Sequence, residues 1–341
     1  MMRRIRNQIF QTLSSGPVSV YRLIDSQDAS LPEFFELIEE LEREGLIKVE
    51  DGKVSLTEEG RKYISELGAV NIDVRCKSCD GTGYSIAKDF EEILQKYKEI
   101  AKDRPETSEV FDQGFISPEG VIKRVEFIYE RGDLLNAEMF VVGDDDLLSI
   151  ASALTEMPKR ISVIDADERL IDFINRVADE YSLPVTAEVC DVQDELPEKF
   201  KGKFDLFVTD PVETLPGLRL FLSRGVSALK GEGCAGYFGI TTLEASRKKW
   251  YEIQKMILDM GFVITDLRRK FNVYPEDEKN FFRFQEKLPV VKKFGAKIDY
   301  NFYTSTLYRI EAVRKPEPVV KGRMVINEAV YKDEESWATP Y

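Results

Sequence analysis

Apolar positions along the chain change their rhythm from one region to the next. Over residues 1–67 they recur at helical spacing: Ile5, Ile9, Phe10 and Leu13, then Val20, Leu23 and Ile24 after Gly16-Pro17, then Phe34, Leu37, Ile38 and Leu41 behind Leu31-Pro32. Gly45 ends the last of these helices. Two short strands, 47–50 and 53–56, flank Asp51-Gly52, a hairpin signal because both residues tolerate positive φ. Thr57-Glu58-Glu59-Gly60 opens a closing helix, and residues 86–104 and 118–131 read as amphipathic helices. From residue 137 short apolar runs at 139–142, 161–164, 185–189, 204–208 and 234–238 read as buried strands. Helical periods at 147–157, 167–181, 214–229 and 245–260 are interleaved with them, and strands at 262–264 and 306–310 complete the series.

Repeated β-α units require a mostly parallel sheet with right-handed crossovers. The pattern therefore predicts an α/β fold: a Rossmann-like, methyltransferase-type sheet over 135–314, preceded by a winged-helix-like α+β domain over 1–68. A connecting segment with bridging helices fills 69–134. Residues 315–341, rich in Pro and charge, are expected to form an acidic, flexible tail.

Composition narrows the chemistry. The 341 residues carry 62 Asp and Glu against 48 Lys and Arg, a net charge of −14, and no histidine. Without His there is no Ser-His-Asp or Cys-His pair, no His-ligated metal and no imidazole shuttle, so acid–base work falls to carboxylates, Tyr, Lys or Cys. The richness in Glu, Lys and Arg fits a thermophile. The charge disfavours a phosphate-binding surface and suits a cationic ligand. Residues 32–45, where a winged helix-turn-helix would place its recognition helix, hold six Glu and one Arg, so a dimerisation or architectural role is favoured over DNA binding. No apolar run reaches the ~18 residues that span a bilayer, no signal-peptide core follows the basic start, and four cysteines make no disulfide framework. A cytoplasmic protein is expected, with neither nucleic acid nor membrane as partner. Cys76-Lys77-Ser78-Cys79 is half of a zinc site. Cys190 and Cys234 are too isolated to complete it, which leaves a shared metal between two chains, a disulfide or an inert remnant.

The residues after the strands are the informative ones. Gly143-Asp144-Asp145-Asp146 follows the first, Asp165-Ala166-Asp167-Glu168 the second, Asp191 the third and Asp210-Pro211-Val212-Glu213 the fourth. In such sheets ligands bind at the carboxyl ends of the strands, and a carboxylate about 20 residues past the first turn commonly holds a ribose. Asp165 stands 22 residues after Gly143, and Asp191 is then placed to accept from an adenine amino group. Asp167 and Glu168 read as first-turn helix acids. The glycine-rich pyrophosphate cradle is absent. Three aspartates would repel a pyrophosphate and sit poorly beside the α-carboxylate of S-adenosylmethionine. They suit decarboxylated S-adenosylmethionine, whose aminopropyl group ends in an ammonium.

Taken together, Gly143-Asp144-Asp145-Asp146-Leu147, the Asp-Pro-x-Glu at 210–213, and Gly233-Cys234-Ala235-Gly236-Tyr237-Phe238-Gly239-Ile240-Thr241 resemble the branched-chain polyamine synthases, the N4-bis(aminopropyl)spermidine synthases of thermophilic archaea and bacteria. The resemblance extends from the winged-helix start to the acidic Asp333-Glu334-Glu335-Ser336, with Val212 where the family pattern has a second Pro. It implies a homodimeric transferase that moves aminopropyl groups from decarboxylated S-adenosylmethionine to the central secondary amine of spermidine, releasing methylthioadenosine. No permanently bound cofactor or metal is implied. By the family motif Asp145 is the base. Gly143, Asp144, Asp165, Asp191 and Gln113 are expected at the donor, and Asp146, Asp210, Glu213 and Asp112 at the acceptor. Of Asp144 and Asp146, one is expected to face the aminopropyl ammonium and the other to cap helix 147–157. Asp112 and Gln113 are expected to close the site from outside the sheet, with Phe111 and Phe115 as apolar walls.

Two other readings compete. Asp-Pro-x-Glu sits where amino-group methyltransferases carry a related motif, so an S-adenosylmethionine-dependent amine or nucleic-acid methyltransferase is the alternative enzyme. A winged-helix regulator sensing a nucleoside or polyamine is the non-enzymatic one.

Overall fold

The computed structural model describes residues 2–72, 76–79, 81–108, 111, 113–275, 280 and 285–338. The small N-terminal unit packs α1 (Met2–Leu13), α2 (Val20–Asp25), α3 (Leu31–Arg43) and α4 (Glu58–Leu67) on a three-stranded antiparallel sheet. Its strands are β1 (Val18–Ser19), β2 (Ile47–Glu50) and β3 (Lys53–Leu56), in the order β1-β3-β2. The hairpin forms where expected: Asp51 and Gly52 both hold positive φ, 50° and 73°, the pair of left-handed residues that a tight two-residue turn requires. Glu33 accepts from the Ser30 backbone N–H at 3.1 Å and fixes the start of α3, whose Phe34, Leu37 and Leu41 are buried.

Two helices, α5 (Lys88–Ala101) and α6 (Pro118–Glu130), lead to the main sheet. It is built from β4 (Glu138–Val142), α7 (Leu148–Ala153), β5 (Arg160–Asp165), α8 (Glu168–Tyr181), β6 (Val185–Val189), β7 (Leu206–Thr209), α9 (Leu215–Ala228), β8 (Ala235–Ile240) and α10 (Arg247–Asp259). It ends with β9 (Phe262–Val273), α11 (Pro289–Phe294), β10 (Thr304–Ala312) and α12 (Glu328–Tyr331). The seven strands run in the order β6-β5-β4-β7-β8-β10-β9. The first five are parallel, and β10 is antiparallel to both of its neighbours, β8 and β9. The chain leaves β4 towards β5 and β6 on one side and later returns to β7 on the other, so a crevice opens between the carboxyl ends of β4 and β7.

Two expectations are corrected. Strand β9 runs to Val273, well past residue 264, because it is an edge strand whose exposed positions tolerate the charged run 266–270. The tail is not loose. The buried Arg224 donates to the carbonyls of Val320 (3.2 Å) and Gly322 (2.8 Å), and the Met324 N–H donates to the Gln193 carbonyl at 2.8 Å. Further on, Lys249 pairs with Asp333 at 2.7 Å, the Ala338 N–H donates to Glu244 at 2.6 Å, and Trp337 stacks on Phe35 of α3. Satisfied backbone groups and a half-buried aromatic anchor hold this segment down despite its polar composition.

Candidate active site

A cavity of about 360 Å³ lies at the crevice, walled by Asp145, Asp165, Asp191, Asp210 and Glu213 together with Phe111, Gln113, Gly114, Gly143, Tyr274, Tyr303, Ile326 and Tyr331, among others. The switch point thus gathers Asp145 from beyond β4, Asp165 from the last position of β5, Asp191 from beyond β6, and two acids from beyond β7. Gly143 adopts φ 73°, and Leu147 at φ 54° reverses the turn before α7 begins.

That turn sends its three aspartates in three directions. Asp144 is buried and accepts from the Ser149 N–H at 3.3 Å and from the Ser149 hydroxyl, tying off the start of α7. Asp146 is buried on the other side, accepting from the Ile116 N–H at 2.7 Å and pairing with Arg124 at 3.1 Å. Neither faces the cavity, so the expected donor contact of Asp144 and acceptor contact of Asp146 are corrected: their oxygens are consumed by helix and loop donors. Only Asp145 reaches the cavity, with one oxygen accepting from the Gly114 N–H at 2.8 Å.

Asp165 accepts from the N–H groups of Asp144 (3.2 Å) and Asp167 (2.8 Å), which orients it along the floor of the cavity. A Cβ on Gly143 would lie 4.0 Å from its oxygen, an ordinary van der Waals contact. Asp167 does cap α8, accepting from the Arg169 N–H at 3.0 Å. Gln113 lines the cavity and donates to Asp167 at 3.0 Å. Asp191 lines the cavity but already accepts from the Gln193 N–H at 2.9 Å and from its side-chain amide. Asp112 lies outside the described residues. Phe111 lines the cavity; Phe115 does not, being buried under the Arg104 guanidinium at 4.3 Å.

Asp210 is held by Arg124 (3.0 Å) and the Tyr274 hydroxyl (3.3 Å), both on Oδ2, while its buried Oδ1 has no hydrogen-bond partner among the described residues. A Cβ on Gly239 of β8 would stand 2.4 Å from that oxygen, so only glycine leaves it room. The Tyr303 hydroxyl lies 3.5 Å from Glu213 and 3.4 Å from Glu244.

Crowding shows in the proton affinities. Burial, reinforced by the charges of Asp146 and Asp210, pushes Asp145 well above the usual carboxylate range. Burial pushes Asp144 and Asp146 up to about 7, the latter despite Arg124, and Asp165 up to about 6. A carboxylate poised this way is a competent proton acceptor near neutral pH. Cys76 is exposed, Cys79 buried, and both are free thiols, as are Cys190 and Cys234.

Sequence reading missed Arg124, Tyr274, Tyr303 and the tail residues Ile326 and Tyr331. One of these had a signal: Arg124 falls on the apolar stripe Val121, Val125 and Ile128 of α6, where a cation has no solvent to face.

Comparison with known proteins bears on this geometry. A model of the branched-chain polyamine synthase A C-terminal domain matches residues 92–338. The N(4)-bis(aminopropyl)spermidine synthase of Thermococcus kodakarensis is 39% identical over 344 residues, covering 99% of this chain and 95% of that protein. That of Methanocaldococcus jannaschii is 40% identical over 327 residues, covering 94% and 90%. The branched-chain polyamine synthase of Thermus thermophilus, solved in complex with N4-aminopropylspermidine and 5'-methylthioadenosine, superposes with a TM-score of 0.85 at 34% identity, covering 98% of this chain and 93% of that one. With agreement this extensive in sequence and in fold, the chain belongs to the branched-chain polyamine synthase family.

Proposed function

We propose that this protein is an aminopropyltransferase. It takes aminopropyl groups from decarboxylated S-adenosylmethionine and adds them to the central secondary amine of spermidine, giving N4-aminopropylspermidine and then N4-bis(aminopropyl)spermidine. Methylthioadenosine leaves at each transfer. The observation that carries this reading is the surplus of carboxylates on one cavity wall at the switch point of a sheet that lacks a phosphate cradle.

The chemistry follows from the residues. An amine with a pKa near that of Lys, about 10, is mostly protonated at neutral pH and has no lone pair to offer. Asp145, with its raised proton affinity, accepts the proton. The freed nitrogen attacks the carbon beside sulfur, the C–S bond breaks, and its electron pair neutralises the sulfonium. The new tertiary amine is born protonated; once Asp145 has released its first proton to solvent it takes this one, which readies the nitrogen for the second attack. The second product is a quaternary ammonium with no proton to lose. Asp210 and Glu213 hold the cationic acceptor, while Asp165, Asp191, Gly143 and Gln113 surround the nucleoside. Decarboxylated S-adenosylmethionine is a co-substrate that comes and goes.

The N-terminal unit is proposed as a winged-helix-type module used for homodimer assembly. The six Glu of residues 32–45 support this over DNA binding. Among the described residues no helix is long and apolar enough to cross a membrane, and the cytoplasm is the proposed location.

Donor choice tests the reading. Spermidine is supplied with either donor, and released methylthioadenosine or S-adenosylhomocysteine is measured with the mass of the polyamine product. Turnover with the decarboxylated donor, and products heavier by one and two aminopropyl groups, is expected. Turnover with S-adenosylmethionine alone would overturn it in favour of a methyltransferase.

A further inference from the structure

We infer that Arg124 is a positioning residue for the transfer: by bridging Asp146 and Asp210 across the switch point, it sets which acid takes the proton and which grips the acceptor. This rests on the aminopropyl-transfer reading above.

Arg124 is 2% exposed and projects from α6 beneath the ends of β4 and β7, the two strands that border the crevice. Its Nη1 donates to Asp146 Oδ2 at 3.1 Å and its Nη2 to Asp210 Oδ2 at 3.0 Å. A guanidinium is a rigid planar fork, so satisfying both acids at once fixes the distance between two strand ends that no backbone ladder joins at that height. The bridge takes one oxygen from each acid. On Asp210 this leaves Oδ1 buried against Gly239 with no hydrogen-bond partner among the described residues. On Asp146 the remaining oxygen accepts from the Ile116 N–H, anchoring the loop whose Gly114 N–H donates to Asp145. The contacts therefore run without a break from Arg124 through Asp146, Ile116 and Gly114 to the proposed base.

A purely structural ion pair would account for less. Replacing a buried pair with apolar side chains is often neutral or stabilising, so burial of a bridged pair is weak support for a stability role. Here one cation also serves two acids, and a third, Asp145, stands beside them with no cation of its own among the described residues. The guanidinium opposes the rise that burial imposes on Asp146, while Asp145, with no ion pair among the described residues, has no such cation to oppose its own. The division of labour among chemically identical side chains is thus made by one residue that does not line the cavity.

The test compares Arg124→Gln and Arg124→Lys with the parent enzyme, and begins by confirming parent turnover with the decarboxylated donor. Failure at that step refutes the aminopropyl-transfer reading itself; success isolates the role of Arg124. Folding is checked by thermal melting, and methylthioadenosine affinity by calorimetry. In Arg124→Gln, kcat should fall about 100-fold while methylthioadenosine affinity stays within about threefold. Loss of the cation raises the pKa of the neighbouring carboxylates, so the acid limb of the kcat profile should move up by about one pH unit. Arg124→Lys keeps the charge without the fork and should recover about tenfold of the lost rate. A folded Gln variant with parent-like kcat and acid limb would overturn the inference. So would a loss of rate with no movement of the limb and no recovery by Lys. If the Gln variant does not fold, the Lys variant decides: a kcat within twofold of the parent refutes the role of the fork, and a roughly tenfold loss supports it.

Discussion

Two clusters of buried acid in this molecule are treated in opposite ways. At the joint between the N-terminal unit and the main sheet, the buried Asp28 meets Arg4 and Arg269 directly, accepts from Gln8 at 3.0 Å, and has Arg247 at 3.8 Å. Burial alone would raise its pKa, but hydrogen bonds from Arg269, Gln8 and Arg4 more than reverse this and hold it well below the usual range. At the switch point the guanidinium of Arg124 pairs with Asp146 and Asp210, Asp145 has no ion pair among the described residues, and burial wins at Asp145 and Asp146. An acid with cations to spare is a fastener; acids short of cations are a binding site awaiting one. The missing charge is what a polyamine brings.

Substitutions at the two clusters should separate accordingly. Asp145→Asn should lower turnover by about 1000-fold, the range expected on losing a general base, with little change in methylthioadenosine affinity. Asp28→Asn should instead leave turnover near the parent value and cost about 2 kcal/mol of stability, read from denaturant melts, because it loses charge-assisted hydrogen bonds. Equal activity losses at both positions would dissolve the distinction. Asp210→Asn should reduce kcat/KM for spermidine roughly 10- to 100-fold, as expected for losing one charged contact, and leave donor binding intact.

The smallest effect sharpens the contrast most. Asp28 has a lowered pKa in the fold, so its contribution is full above its unfolded value near 4 and is lost as pH falls below that. Asp144 and Asp146 have pKa values raised to about 7, so the folded state holds protons that the unfolded chain has released, and stability declines as pH rises from about 4 towards 7. The melting temperature should therefore drift down across that interval. Asp145→Asn, which removes one of the crowded charges, should flatten the drift and raise the melting temperature at pH 8 by a few degrees. An unchanged slope would mean that the crowding has no thermodynamic weight.

How much of this was legible in the sequence follows from where the signals are local. The parallel strands and the acids beyond them were legible because apolar runs and the residues after them are contiguous. So was Asp165, by its spacing from Gly143. The roles within Asp144–Asp146 were not, because a left-handed Leu147 turns neighbouring side chains in different directions, and composition says nothing about direction. Arg124 is some 20 residues upstream of the motif it serves, and its place on an apolar stripe marks it as unusual without naming its partners. The tail misled for a related reason: Pro and charge suggest looseness, whereas its partners, Arg224, Lys249 and Phe35, lie on three distant elements.

That tail has a consequence for how the molecule is made. Ile326 and Tyr331 close one side of the cavity, and the residues that latch them down extend to Ala338. In chain order that wall comes last: every acid that lines the cavity precedes β8, and about a hundred residues separate the end of β8 from Ala338. A chain cut anywhere between the two would keep the acids and lose the side that encloses them.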